Sequence, residues 1–354
     1  MAMGATIRPF QRLAALFRPR RPSPALGAFA LPPEIVLIIA AYLTYTSTTS
    51  LALTCRTLCS LCFPGHTRPS TAEKEELLLL LEKDIPNLYF CHYCVELHRW
   101  NQHWGKRCGQ LLFMDVEEDL PCKQHLSRDF VRLPHTCHIP YHHARLVMNR
   151  HFYGPAHGLP LQKFKDRSSV YWRSSGITDS ESLLSRIVDD KLVVLAVKTL
   201  YHSRGDSKRL REFIESQGHA ACRHLTLATG LPHGAPVQLP ELAKNKTAPQ
   251  YFAPCHLSLR SCTFCLTDYC IEISWRGERK GHVVKVSSYR LLGNCRSPFD
   301  WVWRSMVTFG AVHEPRMAYP GMVIDTWNKA DGIEAETQAE WVEIPRRALP
   351  RSLD

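Results

Sequence analysis

Apolar residues recur at helical spacing close to the N-terminus of the chain. Ile35, Ile38, Ile39, Tyr42 and Leu43 occupy positions i, i+3, i+4, i+7 and i+8, which predicts a helix with one apolar stripe. The prolines that precede them suit a first helical turn, where a backbone N–H is not needed and the fixed φ is already helical. This apolar stripe must pack against another surface to be stable.

A second helix is predicted after a polar break at residues 44–49. Its apolar side chains share one face at helical spacing: Leu51, Cys55, Leu58 and Cys62. Both Cys55 and Cys62 are interpreted as small core residues there. Two short helices bury too little surface to fold alone, so the pair needs either the rest of the chain or another protein.

Two further helices have recognisable starts. Ser70-Thr71-Ala72-Glu73 has the spacing of a capping box and opens a leucine-rich helix that ends before Pro86. Residues 297–300 predict another start, with Trp301 to Phe309 as the helix. The stretch from Leu88 to about Asp166 is rich in His, Cys, Pro and Arg and is interpreted as mostly loops.

The second half of the chain shows strand patterns. Residues 192–201 form a β-rich apolar run, and residues 225–229 are a shorter candidate strand. Ile271, Ile273 and Trp275 alternate with polar residues, and alternating valines return after a turn at 276–281, which predicts a β-hairpin. Helices first and strands later indicate an α+β fold with a mainly antiparallel β-containing C-terminal domain.

Composition limits the classes of protein that remain. The 354 residues are 45% hydrophobic, which indicates a globular chain, and no apolar run approaches the length that spans a bilayer. The net charge of +11 owes much to five arginines in residues 1–30, where no acidic residue occurs. That segment is interpreted as a basic disordered tail, with a mitochondrial transit peptide as the alternative. The remaining basic residues are scattered, which argues against nucleic acid as a partner.

The 14 cysteines point to metal or to buried thiols rather than to disulfides, because no secretory signal is present. Two Cys-x-x-Cys pairs stand out, Cys91 with Cys94 and Cys262 with Cys265. Each such turn places two thiolates near one tetrahedral zinc. The sequence predicts one structural zinc held by all four cysteines. Local completion of the first pair by His98 or Cys122, or ordinary buried thiols without metal, are the alternatives.

Enzyme signatures are absent from the sequence. There is no Gly-x-Ser-x-Gly elbow, phosphate loop, His-Glu-x-x-His or dinucleotide fingerprint among the 354 residues. The Cys-x-x-Cys pairs do not follow proline, unlike those of the zinc deaminases. We therefore expect no active site in this chain, and a closed four-ligand zinc would leave no position for substrate water.

The N-terminal pattern resembles an F-box. Its residues are the Leu-Pro-x-Glu-Ile opening at 31–35 and the Cys-Arg-x-Leu sequence at 55–58. The resemblance implies that this module docks onto a Skp-type adaptor and through it onto a cullin-RING ubiquitin ligase. The adaptor-binding residues that it implies are Leu31, Pro32, Ile35, Leu37, Ile38, Leu43, Leu51, Cys55 and Leu58. The blocks at 91–98, 141–158 and 261–269 extend the similarity to fungal F-box proteins of uncharacterised substrate.

The resulting prediction is a substrate-recognition subunit of the cytoplasm or nucleus whose protein target is not disclosed by the sequence. Its organisation is a tail at 1–27, an F-box at 28–65, a helix with a Cys/His-rich loop region at 66–166, a recognition domain at 167–340 and a tail at 341–354. No membrane or nucleic-acid partner is expected. The alternative is a zinc-stabilised interaction or nucleic-acid-binding protein without a ligase role.

Overall fold

A computed structural model describes most of the central part of the chain. The described residues are 31–63, 68–101, 130–133, 138–217, 220–226, 251–252, 255–262, 264–308 and 319–332. They divide into two compact units, one made of residues up to 84 with 95–97, the other of residues 85–94 and those from 98 onward. The two predicted tails, at 1–27 and 341–354, lie outside the described residues.

The first unit is helical. Its helices are α1 (Pro33–Ala41), α2 (Tyr45–Thr54), α3 (Arg56–Cys62) and α4 (Thr71–Asp84). A small core joins the first three helices through Val36, Ala52, Leu58 and Cys62. Proline opens α1, as expected from its fixed φ.

The prediction of a single second helix carrying Leu51 to Cys62 is wrong, because the structure forms two helices, α2 and α3, over this part of the chain. The polar residues thought to be a break begin α2, where the Thr44 side chain accepts a hydrogen bond from the Ser47 N–H. Cys55 has extended backbone and separates α2 from α3, and its sulfur accepts from the Leu58 N–H, 3.4 Å away. Cys55 is exposed and Cys62 is buried, so only the second of these is a core residue.

The capping box before α4 is confirmed. The Ser70 Oγ accepts from the Glu73 N–H at 3.2 Å, and the Glu73 carboxylate accepts from the Ser70 N–H at 2.8 Å. The Ser70 hydroxyl also donates to the Glu73 carboxylate at 2.7 Å, and this bond, followed by the one from the Ser70 N–H, lowers the pKa of Glu73. The helix ends at Asp84, before Pro86, as predicted.

The second unit is built on an antiparallel sheet of six strands in the order β10-β11-β12-β7-β6-β5. The remaining described strands of the chain form two-stranded pairs, β1 with β2, β3 with β4 and β8 with β9. In chain order the strands are β1 (Leu88–Cys91), β2 (Glu96–Arg99), β3 (Phe130–Arg132), β4 (His138–Pro140), β5 (Asp166–Trp172), β6 (Ile177–Val188), β7 (Lys191–His202), β8 (Ala220–Cys222), β9 (Leu225–Thr226), β10 (Cys255–Ser261), β11 (Thr267–Trp275) and β12 (His282–Gly293). The helices are α5 (Tyr141–Tyr153), α6 (Ser207–Gln217), α7 (Trp301–Val307) and α8 (Met322–Lys329).

One face of the large sheet forms the core. Leu200 pairs with Val284, and Val284 pairs with Ile273, so these side chains share a face, and all three are buried. The same face carries Lys198 and Arg290, two buried basic residues that need partners inside the protein. The sequence pattern did not reveal them because strand prediction weighs only the apolar positions.

The β-hairpin of β11 and β12 is confirmed, with its turn at Arg276–Gly281. Strand β7 covers the predicted run at 192–201, and residues 225–226 begin the shorter candidate strand, whose last three positions lie outside the described residues. The α+β prediction therefore agrees with the mixture of helices and antiparallel sheet. No described helix has the length and apolar content that crossing a membrane requires.

The prediction that residues 88–166 are mostly loops is wrong where α5 lies. This helix is buried on most of its surface, with Ala144, Leu146 and Met148 fully enclosed. Gly158 then passes so close to it that a Cβ there would stand 1.7 Å from the Leu146 carbonyl oxygen, which requires glycine. Two 3-10 turns, at Pro155–His157 and Leu161–Phe164, lead from α5 to β5.

The opposite face of the sheet carries α8. Asp268 on β11 accepts hydrogen bonds from the N–H groups of Val323 and Ile324 at 2.7 and 3.2 Å, so it caps α8 from a neighbouring strand. Arg186 lies 4.3 Å from the centre of the Trp327 ring and adds a cation–π contact. Helix α7 begins at Trp301, as predicted, with the Asp300 side chain accepting from the Val302 N–H, and it ends at Val307, before the predicted end at Phe309.

Candidate metal centres

Four potential metal ligands meet next to the large sheet. They come from the end of β8 (Cys222), the turn after it (His224), the residue directly after β10 (Cys262) and the turn before β11 (Cys265). Their sulfur and nitrogen atoms all lie within 4.8 Å of one another. Ligands around a tetrahedral zinc are separated by about 3.5 to 4 Å, given Zn–S bonds of about 2.3 Å. These residues are called the four-ligand group below.

Backbone hydrogen bonds shape the Cys262–Cys265 turn. The Phe264 N–H donates to the Cys262 sulfur at 3.4 Å, which stabilises negative charge on that sulfur. The Cys262 N–H donates to the Thr267 carbonyl and the Thr267 N–H donates to the Cys265 carbonyl, both at 2.8 Å. The two thiols are therefore directed to one side of a tight turn by the start of β11.

The ring of His224 is oriented for a role as ligand. Its Nε2 donates to the Thr308 carbonyl at 3.0 Å, because a carbonyl oxygen can only accept. The tautomer with hydrogen on Nε2 leaves a lone pair on Nδ1, and Nδ1 is the atom that faces the Cys222 sulfur, 3.9 Å away. The Phe264 ring stacks on the imidazole with centroids 5.3 Å apart. Such outer contacts are typical of histidines that bind metal.

The electrostatics of the four-ligand group favour negative charge at Cys222. Burial on its own would raise the pKa of that thiol, but hydrogen bonds from Cys262 and Cys265 and the positive charge of Arg290 hold it well below its usual value. Burial, together with hydrogen bonds and charge from Cys222 and Cys262, raises the pKa of Cys265. Arg290 is fully buried and donates to the Ala221 carbonyl at 2.6 Å.

Arg290 also suits a metal by charge. Three thiolates and one divalent ion carry a net charge of −1, and the guanidinium cancels it. Because an uncompensated charge is costly in a buried site, this balance favours the three cysteines being ionised around an ion over three neutral thiols beside a cation.

A second group of potential ligands lies at the β1–β2 hairpin. Cys91 ends β1, Cys94 lies in the turn and His98 is on β2, and their ligand atoms are also within 4.8 Å of one another. The Cys94 sulfur is 2.9 Å from His98 Nε2, and the Cys94 N–H donates to the Cys91 sulfur at 3.5 Å. Cys91 is buried, while Cys94 and His98 are half-buried. These residues are called the three-ligand group.

His92 lies inside the same turn but serves a different purpose. Its Nε2 donates to the Arg296 carbonyl at 2.8 Å, so this ring holds the turn against the segment after β12. The buried Arg145 of α5 donates to the same carbonyl and to the Tyr141 hydroxyl. Tyr141 in turn donates to the Cys295 carbonyl at 2.9 Å. The turn is thus fixed to the core of the second unit by residues that are not ligands.

The predicted single site of Cys91, Cys94, Cys262 and Cys265 is not formed, because the structure places the two pairs in separate groups. His98 joins the first pair, as one alternative proposed, and Cys122 lies outside the described residues. Sequence reasoning missed Cys222 and His224. Their signal was a Cys-x-His spacing, which is short and common enough to be overlooked without knowledge of the sheet.

The residues implied in adaptor binding separate into two sets. Leu31, Ile35, Leu37, Ile38 and Leu43 are 39 to 55% exposed, and Pro32 and Cys55 are exposed as well. Leu58 is 6% exposed and belongs to the small core, against which the half-buried Leu51 also packs. The structure therefore assigns Leu58 to the interior of the first unit, and the others except Leu51 to its surface.

Comparisons with known proteins give no relatives: no family model, no curated protein and no solved structure matches the chain.

Proposed function

We propose that this chain is an F-box-type substrate-recognition subunit, whose first unit docks onto a Skp-type adaptor and whose second unit holds a target protein. The observation that carries the proposal is the surface of α1. Of the α1 residues, all of which the structure describes, Val36 alone is buried. The large apolar side chains on either side of it are exposed: Leu31, Ile35, Leu37, Ile38, Ile39, Tyr42 and Leu43.

A surface of this kind supports a protein partner. The apolar stripe predicted from the sequence contributes Ile38 at 55% and Tyr42 at 88% exposure. Contiguous exposed apolar side chains are unusual on a soluble protein and mark places where other proteins bind. An amphipathic helix commonly docks by placing such residues into a groove of its partner. The resemblance of the Leu-Pro opening and the apolar residues after it to an F-box implies a Skp-type adaptor as that partner.

The mechanism is proximity. Ubiquitin transfer takes place on the conjugating enzyme that a cullin-RING ligase recruits, and this chain contributes no reacting group to it. By holding the target near that enzyme, the chain raises the effective concentration of the target's lysines.

The metal that we propose for the four-ligand group is zinc. Three thiolates and one imidazole are a common structural zinc set, and four protein ligands leave no open position. The ion would join β8 to the β10–β11 turn and so stabilise the edge of the sheet. In this proposal the metal supports the fold of the recognition unit and takes no part in a reaction.

The adaptor experiment compares three forms of the full-length chain co-expressed with a Skp-type adaptor. The test variant is Ile35→Ser with Ile38→Ser, which removes two exposed apolar side chains of the apolar stripe. The matched control is Leu80→Ser on α4, which is 43% exposed and lies outside the stripe. We expect the natural chain and the control to co-purify with the adaptor at a ratio of one to one, and the test variant to lose the adaptor.

Circular dichroism of each purified chain checks that all three are folded. A folded natural chain that fails to bind the adaptor would overturn the proposal, and so would a folded test variant that binds as well as the natural chain. The zinc-stabilised interaction protein would then be the better hypothesis.

A further inference from the structure

We infer that the chain binds a second zinc ion at the three-ligand group, separate from the ion of the four-ligand group and lost more readily. This inference does not depend on the adaptor role. It rests on the side chains of the β1–β2 hairpin, and the sequence had suggested only one ion for the whole chain.

The donor set fits zinc. Two thiols and one imidazole converge within 4.8 Å, and a borderline-soft ion such as zinc prefers sulfur and nitrogen ligands. The backbone of the turn assists as it does at the other group, because the Cys94 N–H points to the Cys91 sulfur. The three ligands among the described residues would fill three of the four tetrahedral positions of zinc.

The hairpin holds these ligands in place before any ion binds. The Tyr89 ring lies 5.8 Å from the His98 ring and also stacks on His142 of α5, at 6.3 Å. His92 fixes the turn through the Arg296 carbonyl. An ion that enters the group therefore orders little new structure, which reduces the entropic cost of binding.

The two groups have no residue in common, and they differ in exposure. Cys222, Cys262 and Cys265 are each 2 to 3% exposed, so water and chelators reach them only when the surrounding strands open. Cys94 and His98 are half-buried, so one side of the three-ligand group is accessible in the folded protein. The ion at the three-ligand group should consequently exchange with a chelator much faster than the other.

The experiment measures zinc in the full-length chain by native mass spectrometry and follows its release to a chromogenic chelator. We expect two ions in the natural chain and two release phases of equal amplitude. Cys94→Ser should leave one ion and remove the fast phase, whereas Cys262→Ser should leave one ion and remove the slow phase. The matched control is Cys270→Ser, a half-buried cysteine outside both groups, which should keep both ions.

The number of ions that each variant retains also shows which of the two proposed zinc sites is wrong if only one ion is found. A chain with a single ion that Cys94→Ser does not remove would overturn the second site and leave the first one standing. A single ion that Cys262→Ser does not affect would overturn the first site alone.

A titration of the metal-free natural chain with cobalt needs no variant and covers the case in which a variant fails to fold. Thiolate-to-cobalt absorption should grow until two equivalents are bound. Growth that stops at one equivalent would overturn the claim of two separate ions, and if Cys94→Ser retains that equivalent, the site at the three-ligand group is overturned.

Discussion

Lys198 is a buried cation in the core of the second unit, and two acidic side chains balance its charge. Its ammonium group lies 3.0 Å from the carboxylates of both Asp179 and Glu181, and all three residues are largely buried. They lie on adjacent strands of the core face, where Glu181 pairs directly with Lys198. Replacing one member of a buried ion pair lowers stability by more than the pair's net contribution to stability, because the charge of the other member remains buried.

We predict that Lys198→Ala lowers the free energy of unfolding by about 3 to 5 kcal/mol, since it removes the buried ammonium group that both carboxylates contact. The matched control is Lys285→Ala, on the neighbouring strand, where the side chain is 46% exposed and the ammonium group is 3.5 Å from Glu272. That change should cost less than about 1 kcal/mol. Urea unfolding of both variants provides the measurement, and equal losses would contradict the prediction.

His143 of α5 makes the stability of the second unit sensitive to acid. Burial, helped by the positive charge of Lys163, lowers its pKa from 6.5 to about 4. Between these values the unfolded chain binds a proton that the folded chain excludes, so stability falls as the pH falls. The loss from this residue is on the order of 3 kcal/mol once the pH is below about 4.

We therefore expect His143→Gln to flatten the decline in unfolding free energy between pH 6.5 and pH 4. Urea titrations of the natural chain and the variant, repeated at several pH values, test this. Two parallel curves over that range would show that His143 does not contribute.

At the scale of single elements, α4 illustrates a helix start that local sequence determines. We predict that Ser70→Ala reduces the stability of the first turn by about 1 kcal/mol, because the Glu73 N–H loses its acceptor. Hydrogen exchange of the amides at the start of α4 is the measurement. Ser60→Ala is the control, because the Ser60 hydroxyl only donates to the Thr57 carbonyl on an exposed surface. Unchanged exchange in Ser70→Ala would contradict the prediction.

Other elements were not predictable from local sequence. Strands β5 and β6 contain many serines and charged residues, and their apolar positions are too few to show a clear alternation. They are strands because β7, which is strongly apolar, provides a partner for every residue of β6. Helix α5 was missed for the opposite reason: its polar residues Arg145 and Asn149 are buried by tertiary partners, so no polar face marks the helix.

At the scale of the whole molecule, the mixture of helices and antiparallel strands was predictable because it follows from hydrophobic period alone. The predicted order of helices first and strands later holds only in part, since β1–β4 precede α5 and the helices α6–α8 lie among or after the strands of the large sheet. The metal ligands were not, since two separate segments, residues 222–224 and 262–265, contribute to the four-ligand group and only the fold brings them together. Cys262 and Cys265 were recognised because only two residues separate them in the sequence. Their partners were not, because Cys222 lies forty residues earlier and pairs with them only across the edge of the sheet.

The different sequence separations within the two groups bear on the order of events during protein synthesis. The three-ligand group spans residues 91–98 and is complete as soon as one hairpin has left the ribosome. The four-ligand group lacks its last ligand until Cys265 has been synthesised, and at that point β11 and β12 have not yet been made. If both groups take up zinc, the ion nearer the N-terminus is captured during translation, and the buried ion enters only while the last strands close over it. A shortage of zinc would then stall the chain late in its maturation.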